Sequence, residues 1–423
     1  MSHTVYSSSL SRRALLAAAS ILALSPFLGA CGGGDDDDDG DNFAPTRSSV
    51  YVMTNAADGN AVVAFRRLAD GSLLQSETFA TGGNGTGVGH IPSLEEMDRA
   101  DPLISNNSLY PSQDRQFLFA VNAASGSITV FRVGNDGRLT RVETEPSGGA
   151  FPNSIATQGN LLYVTNVGNP ATGETANVSG FRIGGNGDLT PITNGIRPLS
   201  GEIGVNNMPA QPAAARFSPD GRVLLVSELF AKNLVTYTVN GDGTLSAPRV
   251  QESAGINPFG TAFFANGTRV LVTEDQGGIM LGPGRASAST YSIAGDGTLG
   301  VISNQVANGQ TASCWPVITP DERYAYVANT DSGTITSYTV NSNGSIAVLE
   351  PAAAIYNGGA APAAGGAAPI DIALSLDGRY FYVLLGAQGR VAQYRVESDG
   401  RLSSLGLADG GLPQFGTQGI VAF

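Results

Sequence analysis

Chemically versatile side chains are scarce in this chain. Its 423 residues include one lysine (Lys232), one tryptophan (Trp315), two cysteines and two histidines. Each shortage closes a route. Cys31 ends an apolar N-terminal run, which leaves Cys314 as the only other thiol. An internal disulfide would therefore need Cys31 to stay free. His3 lies in the same N-terminal stretch, so His90 is the only histidine of the body. One histidine cannot build a His-rich metal site. Any Ser-His-Asp arrangement would have to recruit His90, and no G-x-S-x-G elbow occurs. Charged residues make up only 14%, with a formal net charge of −13. That acidic excess argues against nucleic acid as a partner, and against a membrane contact other than a lipid anchor. Glycine, by contrast, is plentiful at 56 residues. Few charges and much glycine suit many short strands joined by tight turns.

Residues 1–30 read as an export signal. Ser11-Arg12-Arg13-Ala14-Leu15-Leu16 resembles a twin-arginine motif, and Leu28-Gly29-Ala30-Cys31 resembles a bacterial lipobox. The apolar stretch from Ala14 to Leu28 is too short and interrupted for a stable span. Cys31 is the expected lipidation site. Residues 31–48 form a tether, in which Gly32-Gly33-Gly34 and the run Asp35 to Asp39 cannot bury apolar surface. The expected location is periplasmic or cell-surface, held to a membrane by the lipidated Cys31.

From residue 49 to 423 one pattern recurs seven times. An alternating apolar strand ends in Asp-Gly or Asn-Gly, one further residue, then Leu or Ile. The copies are Asp70-Gly71, Asp136-Gly137, Asn186-Gly187, Asp242-Gly243, Asp296-Gly297, Asn343-Gly344 and Asp399-Gly400. These dipeptides predict two-residue hairpins. Each repeat also has a small, often Pro-led strand, a polar turn such as Ser218-Pro219-Asp220-Gly221, and a strongly apolar strand such as Tyr324-Ala325-Tyr326-Val327. Four antiparallel strands per repeat predict an all-β, seven-bladed propeller. The first repeat starts at its second strand, Val50-Tyr51-Val52-Met53. The last segment, Phe415 to Phe423, looks like the missing first strand. The C-terminal strand should complete blade one and close the ring, removing the sheet edges of an open array.

The second strands end at Asn55, Asn122, Asn166, Glu228, Glu274, Asn329 and Leu385. The Asn residues suit turn caps, with binding at Asn122, Asn166 and Asn329 as the functional alternative. Glu228 and Glu274, in adjacent blades, could face one channel mouth as a catalytic pair or hold a calcium ion. Otherwise no cofactor is called for. The first strands should line the channel, which puts Trp315 and Asp371 on its wall. Trp315 could stack on a ligand or plug the channel. Long loops, Val167 to Asn177 and Asp275 to Ala288 with Arg285, suggest a ligand-facing rim. An insertion, Gly82 to Ser108, carries His90 and separates blades one and two.

The body resembles the seven-bladed lactonase propellers, which include 6-phosphogluconolactonases and 3-carboxymuconate cyclases, in an exported lipoprotein subgroup. The resemblance rests on Phe119-Ala120-Val121-Asn122-Ala123, Phe217-Ser218-Pro219-Asp220-Gly221-Arg222, Gln310 to Trp315 and Tyr326-Val327-Ala328-Asn329. It implies lactone hydrolysis or formation on a carboxylate-bearing sugar or muconate-type compound. The family pattern is Pro-Arg-His opening an inner strand and a Glu after the next apolar strand. Glu228 matches the Glu, whereas Ala213 and Ala214 stand where Arg and His would be. Arg216, two residues on, keeps the channel-facing side by alternation. Gly85-Thr86-Gly87-Val88-Gly89-His90 resembles the family's approach to an inner-strand His. The resemblance thus implies Glu228 as acid or base, Arg216 or Arg285 on a carboxylate, and His90 assisting. The competing expectation is a non-catalytic, monomeric module whose loop rim binds a cell-envelope protein or glycan.

Overall fold

The computed structural model describes residues 48–89, 100–201, 210–276 and 282–423. The expected export signal, Cys31, the expected tether up to residue 47, and His90 lie outside the described residues. Those described form seven four-stranded antiparallel sheets in one unit spanning 42–423. The C-terminal strand Ile420–Ala422 pairs with Ser49–Met53, with Val50 opposite Ala422 and Val52 opposite Ile420. It is the inner strand of blade one, so the ring closes as expected.

The apolar second strands are buried along their length because each is sandwiched between neighbouring blades. Tyr380–Leu385 (YFYVLL) is an example, with all six residues buried. Their register places Thr54, not Asn55, at the end of the second strand of blade one. Met53 pairs with Val62, and the Thr54 N–H donates to Ala61 O.

The Asp/Asn-Gly turns join the third and outer strands, but they are not the expected two-residue hairpins. Gly137 N–H donates to Gly134 O at 3.1 Å and Gly134 N–H to Arg138 O at 2.8 Å. Only the glycine takes positive φ, 79° at Gly137. This is a type I turn closed by a left-handed glycine. The residue before it stays at negative φ because its side chain has other work: Asp136 Oδ1 accepts the Arg138 N–H at 3.0 Å.

The same glycines lock blade to blade. A second-strand tyrosine in four blades donates its hydroxyl to the glycine carbonyl of the next blade's turn. The bonds are Tyr51 to Gly137 (2.7 Å), Tyr163 to Gly243 (2.8 Å), Tyr326 to Gly400 (2.8 Å) and Tyr382 to Gly71 (2.9 Å). The last of these joins blade seven to blade one.

Candidate functional site in the central channel

The upper end of the channel, where inner strands begin, is plugged by the chain itself. Residues 101–107, from the insertion before blade two, are buried within the ring. Their backbone is bonded to the inner strands of four blades. Gln418 of blade one receives Leu103 N–H at 3.1 Å and donates to Ser105 O at 3.0 Å. In blade three, Ser154 Oγ donates to Asn106 O at 2.5 Å and Ile155 N–H to Asn107 O at 2.9 Å. Asn106 N–H donates to Ala213 O of blade four at 2.8 Å. Trp315 Nε1 of blade six donates to Ser105 O at 2.8 Å. Short inner-strand residues admit this segment: Ala213 and Ala214 are fully buried beside it.

Trp315 is accordingly not a ligand platform. It is wholly buried, bonded to the plug and packed edge-on against Phe259, with ring centroids 5.1 Å apart. The plug fills the place where an exposed stacking face would be. Cys314 beside it is buried as well.

Glu228 and Glu274 do not form a pair facing one mouth. Each ends its second strand by bonding the neighbouring strand or loop of its own surroundings. Glu228 is fully buried and accepts Ser200 N–H at 2.8 Å and Asn233 Nδ2 at 3.4 Å. Glu274 accepts Ser287 Oγ at 2.5 Å. The three asparagines occupy the same position with the bond polarity reversed. Asn122 donates to Ser127 and Thr129, Asn329 to Thr334 and Thr336, and Asn166 to Asn177 and Ser179. An amide gives its protons to hydroxyls that would otherwise give theirs to a carboxylate. All three asparagines are fully buried and give their amide protons to these bonds, so they offer no binding surface, although Asn166 Oδ1 has no hydrogen-bond partner among the described residues. Arg285 is exposed on the upper rim, away from the channel residues below.

Below the plug the channel widens into a cavity of about 310 Å³. Two of the sequence candidates meet there: Arg216 and Asp371 both line it. Asp371 sits at the residue where the inner strand of blade seven bulges, between Ile370 and Ile372, at φ 48°. The bulge aims its carboxyl inward. Its oxygens accept Ile372 N–H at 3.0 Å and Ile420 N–H at 3.2 Å. Burial pushes its pKa up to about 7, opposed by those two N–H groups and by the Arg216 charge. Arg216 lies over the Tyr110 ring, 5.6 Å from its centroid, and donates from Nη2 to Asn107 Oδ1 at 2.9 Å. Arg115 lines the lower mouth, its Nη1 on Ala422 O at 2.8 Å. Burial lowers its pKa. Sequence reasoning missed Arg115, Asn106, Asn107 and Tyr110. The polar turn signal around Arg115 and the alternation that gave Arg216 would have found the first and last. Nothing local marks the two asparagines, since a crossing of the channel places them.

Among the described residues no three His, Cys, Asp or Glu side chains gather to hold a metal ion. The channel cavity is lined by one carboxyl and two guanidinium groups, Asp371, Arg115 and Arg216, which suit acid-base and anion-binding chemistry.

A closed ring of seven four-stranded sheets around a small cavity defines a seven-bladed β-propeller. Residues 42–198 and 316–411 match the model of the lactonase, 7-bladed β-propeller family. The chain belongs to that family. Its fold is similar to that of a Bacteroides uniformis protein named as a candidate 6-phosphogluconolactonase. That pair is 18% identical over 88% of this chain and 99% of the other, with a TM-score of 0.64. It is also similar to the periplasmic gluconolactonase of Pseudomonas aeruginosa, at 17% identity over 88% and 98% of the two chains, TM-score 0.63. A Lactobacillus plantarum protein matches at 15% identity over 87% and 97%, TM-score 0.63. No curated protein matches the sequence.

Proposed function

We propose that this protein is an exported, lipid-anchored hydrolase that opens a small lactone of a carboxylate-bearing sugar or muconate-type compound in its channel cavity. The observation that carries this reading is the meeting of Asp371 and Arg216 in one cavity, with the Asp371 pKa near 7. A carboxylate of that basicity suits a general base at neutral pH. Asp371 takes a proton from water as the water oxygen adds to the lactone carbonyl. The tetrahedral centre then collapses, the ring C–O bond breaks, and the ring oxygen leaves as a hydroxyl after taking that proton back. Arg216 holds the anionic group and the developing oxyanion. This route calls for no cofactor. The export signal and Cys31 lipobox support a tethered, extracytoplasmic location.

One observation favours a second reading, a non-catalytic binding propeller of the cell envelope. The family's Arg and His positions are Ala213 and Ala214, and the plug backbone lies against them. A panel of sugar and muconate-type lactones, with and without calcium, separates the two. Turnover should fall at least a hundredfold in Asp371→Asn, and the wild-type rate should rise with pH through an apparent pKa near 7. A folded protein that opens no lactone on the panel is the binding module.

A further inference from the structure

We propose that the groove between blades two and three is a second binding site, which takes a small organic amine. The ammonium rests on Glu145 and the apolar body on Ile192 and Ile196. The groove is built from outer strands, and its lining shares no residue with that of the channel cavity.

The outer strand of blade two, Leu139–Pro146, carries Glu143 and Glu145. Two residues apart, they share one face of the strand. Both look toward blade three. Glu143 Oε1 accepts the N–H of Leu189, which opens blade three's outer strand Leu189–Pro198. Glu145 meets no such donor, because blade three changes course beside it. Its third strand, Asn177–Ile183, pairs Phe181 with Pro191 but Ser179 with Ile196. The residues between, Ile192 to Gly195, leave the ladder as a bulge, with Asn194 at φ 57°. Pro191 has no N–H to offer. The space left between the blades is a groove of about 530 Å³. That is the volume of a pocket for a whole small molecule rather than for one lysine side chain.

The groove joins apolar surface to one unanswered charge. Of its lining, Phe181 is 2% exposed, Ile192 half-buried and Ile196 55% exposed. Apolar surface thus runs from the floor of the groove to its rim. Glu145 is half-buried, with no ion pair or hydrogen bond among the described residues. Burial and the Glu143 charge beside it raise its pKa. A bound ammonium answers both, giving the carboxylate a donor and offsetting the second negative charge. Arg197 also lines the groove, but its guanidinium is tied elsewhere. Its Nε donates to Leu245 O of blade four at 2.7 Å, and its Nη1 to Asn194 O at 2.7 Å and Ile196 O at 3.0 Å. An anion in the groove would meet Glu145 and find these donors already engaged, so the groove selects a cation.

The test uses the full chain and phenethylammonium as the probe, binding being read by calorimetry at neutral pH. 2-Phenylethanol and 3-phenylpropanoate put a neutral and an anionic group in place of the ammonium. Phenethylammonium should bind at least tenfold tighter than either, and equal affinity for any two of the three overturns the inference. Glu145→Gln should weaken the amine at least tenfold, the worth of one charge-assisted hydrogen bond. Glu143→Gln changes the net charge equally and should weaken it less than threefold. Equal loss in the two variants reports attraction to an acidic surface in general and overturns the site, as does no binding by the wild type. Asp371→Asn should leave the affinity unchanged, and a loss there places the amine in the channel instead. N-acetyl-lysine amide carries the same ammonium on a protein-like stem and should bind at least tenfold more weakly. Binding as tight as that of phenethylammonium would make the occupant a partner's lysine and overturn the free amine. Melting temperatures of the variants, all on exposed or half-buried strand positions apart from Asp371, confirm that each is folded.

Discussion

At the scale of residues, two carboxyl groups carry opposite messages. Asp371 faces a cavity, whereas Glu274 is sealed between its own strands. Both are raised to about 7 by burial. A carboxyl whose folded pKa exceeds its unfolded value holds its proton more tightly when folded. Between pH 4.5 and 7 the folded state therefore binds more protons, and stability falls as pH rises across that window. For Glu274, whose Oε1 has no hydrogen-bond partner among the described residues, the loss is about 3 kcal/mol above pH 7. Glu274→Gln should flatten the decline, raising the Tm at pH 8 by several degrees relative to wild type and much less at pH 5. An unchanged difference between the two pH values would mean that Glu274 stays ionised when folded. Sequence alone gave no way to separate these acids. Glu274 stood out because it broke a column of asparagines, yet the break is only a reversal of hydrogen-bond polarity against Ser287. Arg216 was legible through strand alternation and Asp371 through its place on a first strand, neither of which needs knowledge of the neighbours. The binding alternatives weighed for Trp315, Asn122, Asn166 and Asn329 have no exposed side chain to act through, for a different reason. Their partners come from segments five to more than two hundred residues away, from Ser127 for Asn122 to Ser105 for Trp315.

At the scale of elements, the turn and the tyrosine that reads it form the unit of blade cohesion. The seven Asp/Asn-Gly copies were sufficient to count blades and order strands, because turn chemistry is local. The turn's inner geometry was less legible, since Asp-Gly serves both two- and three-residue connections. Removing one tyrosine hydroxyl leaves a buried glycine carbonyl short of a donor. Tyr51→Phe, Tyr163→Phe, Tyr326→Phe and Tyr382→Phe should each cost about 1 kcal/mol. Tyr51→Phe with Tyr326→Phe should be additive within about 0.5 kcal/mol, because these staples join different blade pairs. Denaturant midpoints at constant m-value measure this. Strong coupling in the double mutant would show that the staples do not act independently.

At the scale of the whole molecule, closure depends on three residues of the final strand. Val50, Tyr51 and Val52 lose their partners if Ile420–Ala422 is removed. A chain ending at residue 418 should expose that edge and self-associate, visible by light scattering at concentrations where the full chain does not. A truncated chain that scatters no more than the full one would place closure elsewhere. The ring was legible from its two complementary ends, but the crossing of its axis was not. A repeat array is ordinarily a nearest-neighbour system, in which each unit feels only the one beside it and the ends fray first. The segment through this channel ties blades one, three, four and six to a single strand of backbone. Those blades are not all neighbours in sequence, so a domain assembled from repeats loses the modular way of coming apart. Its melting is that of an axle and its spokes: all seven blades hold until the axle is drawn, and then they go together.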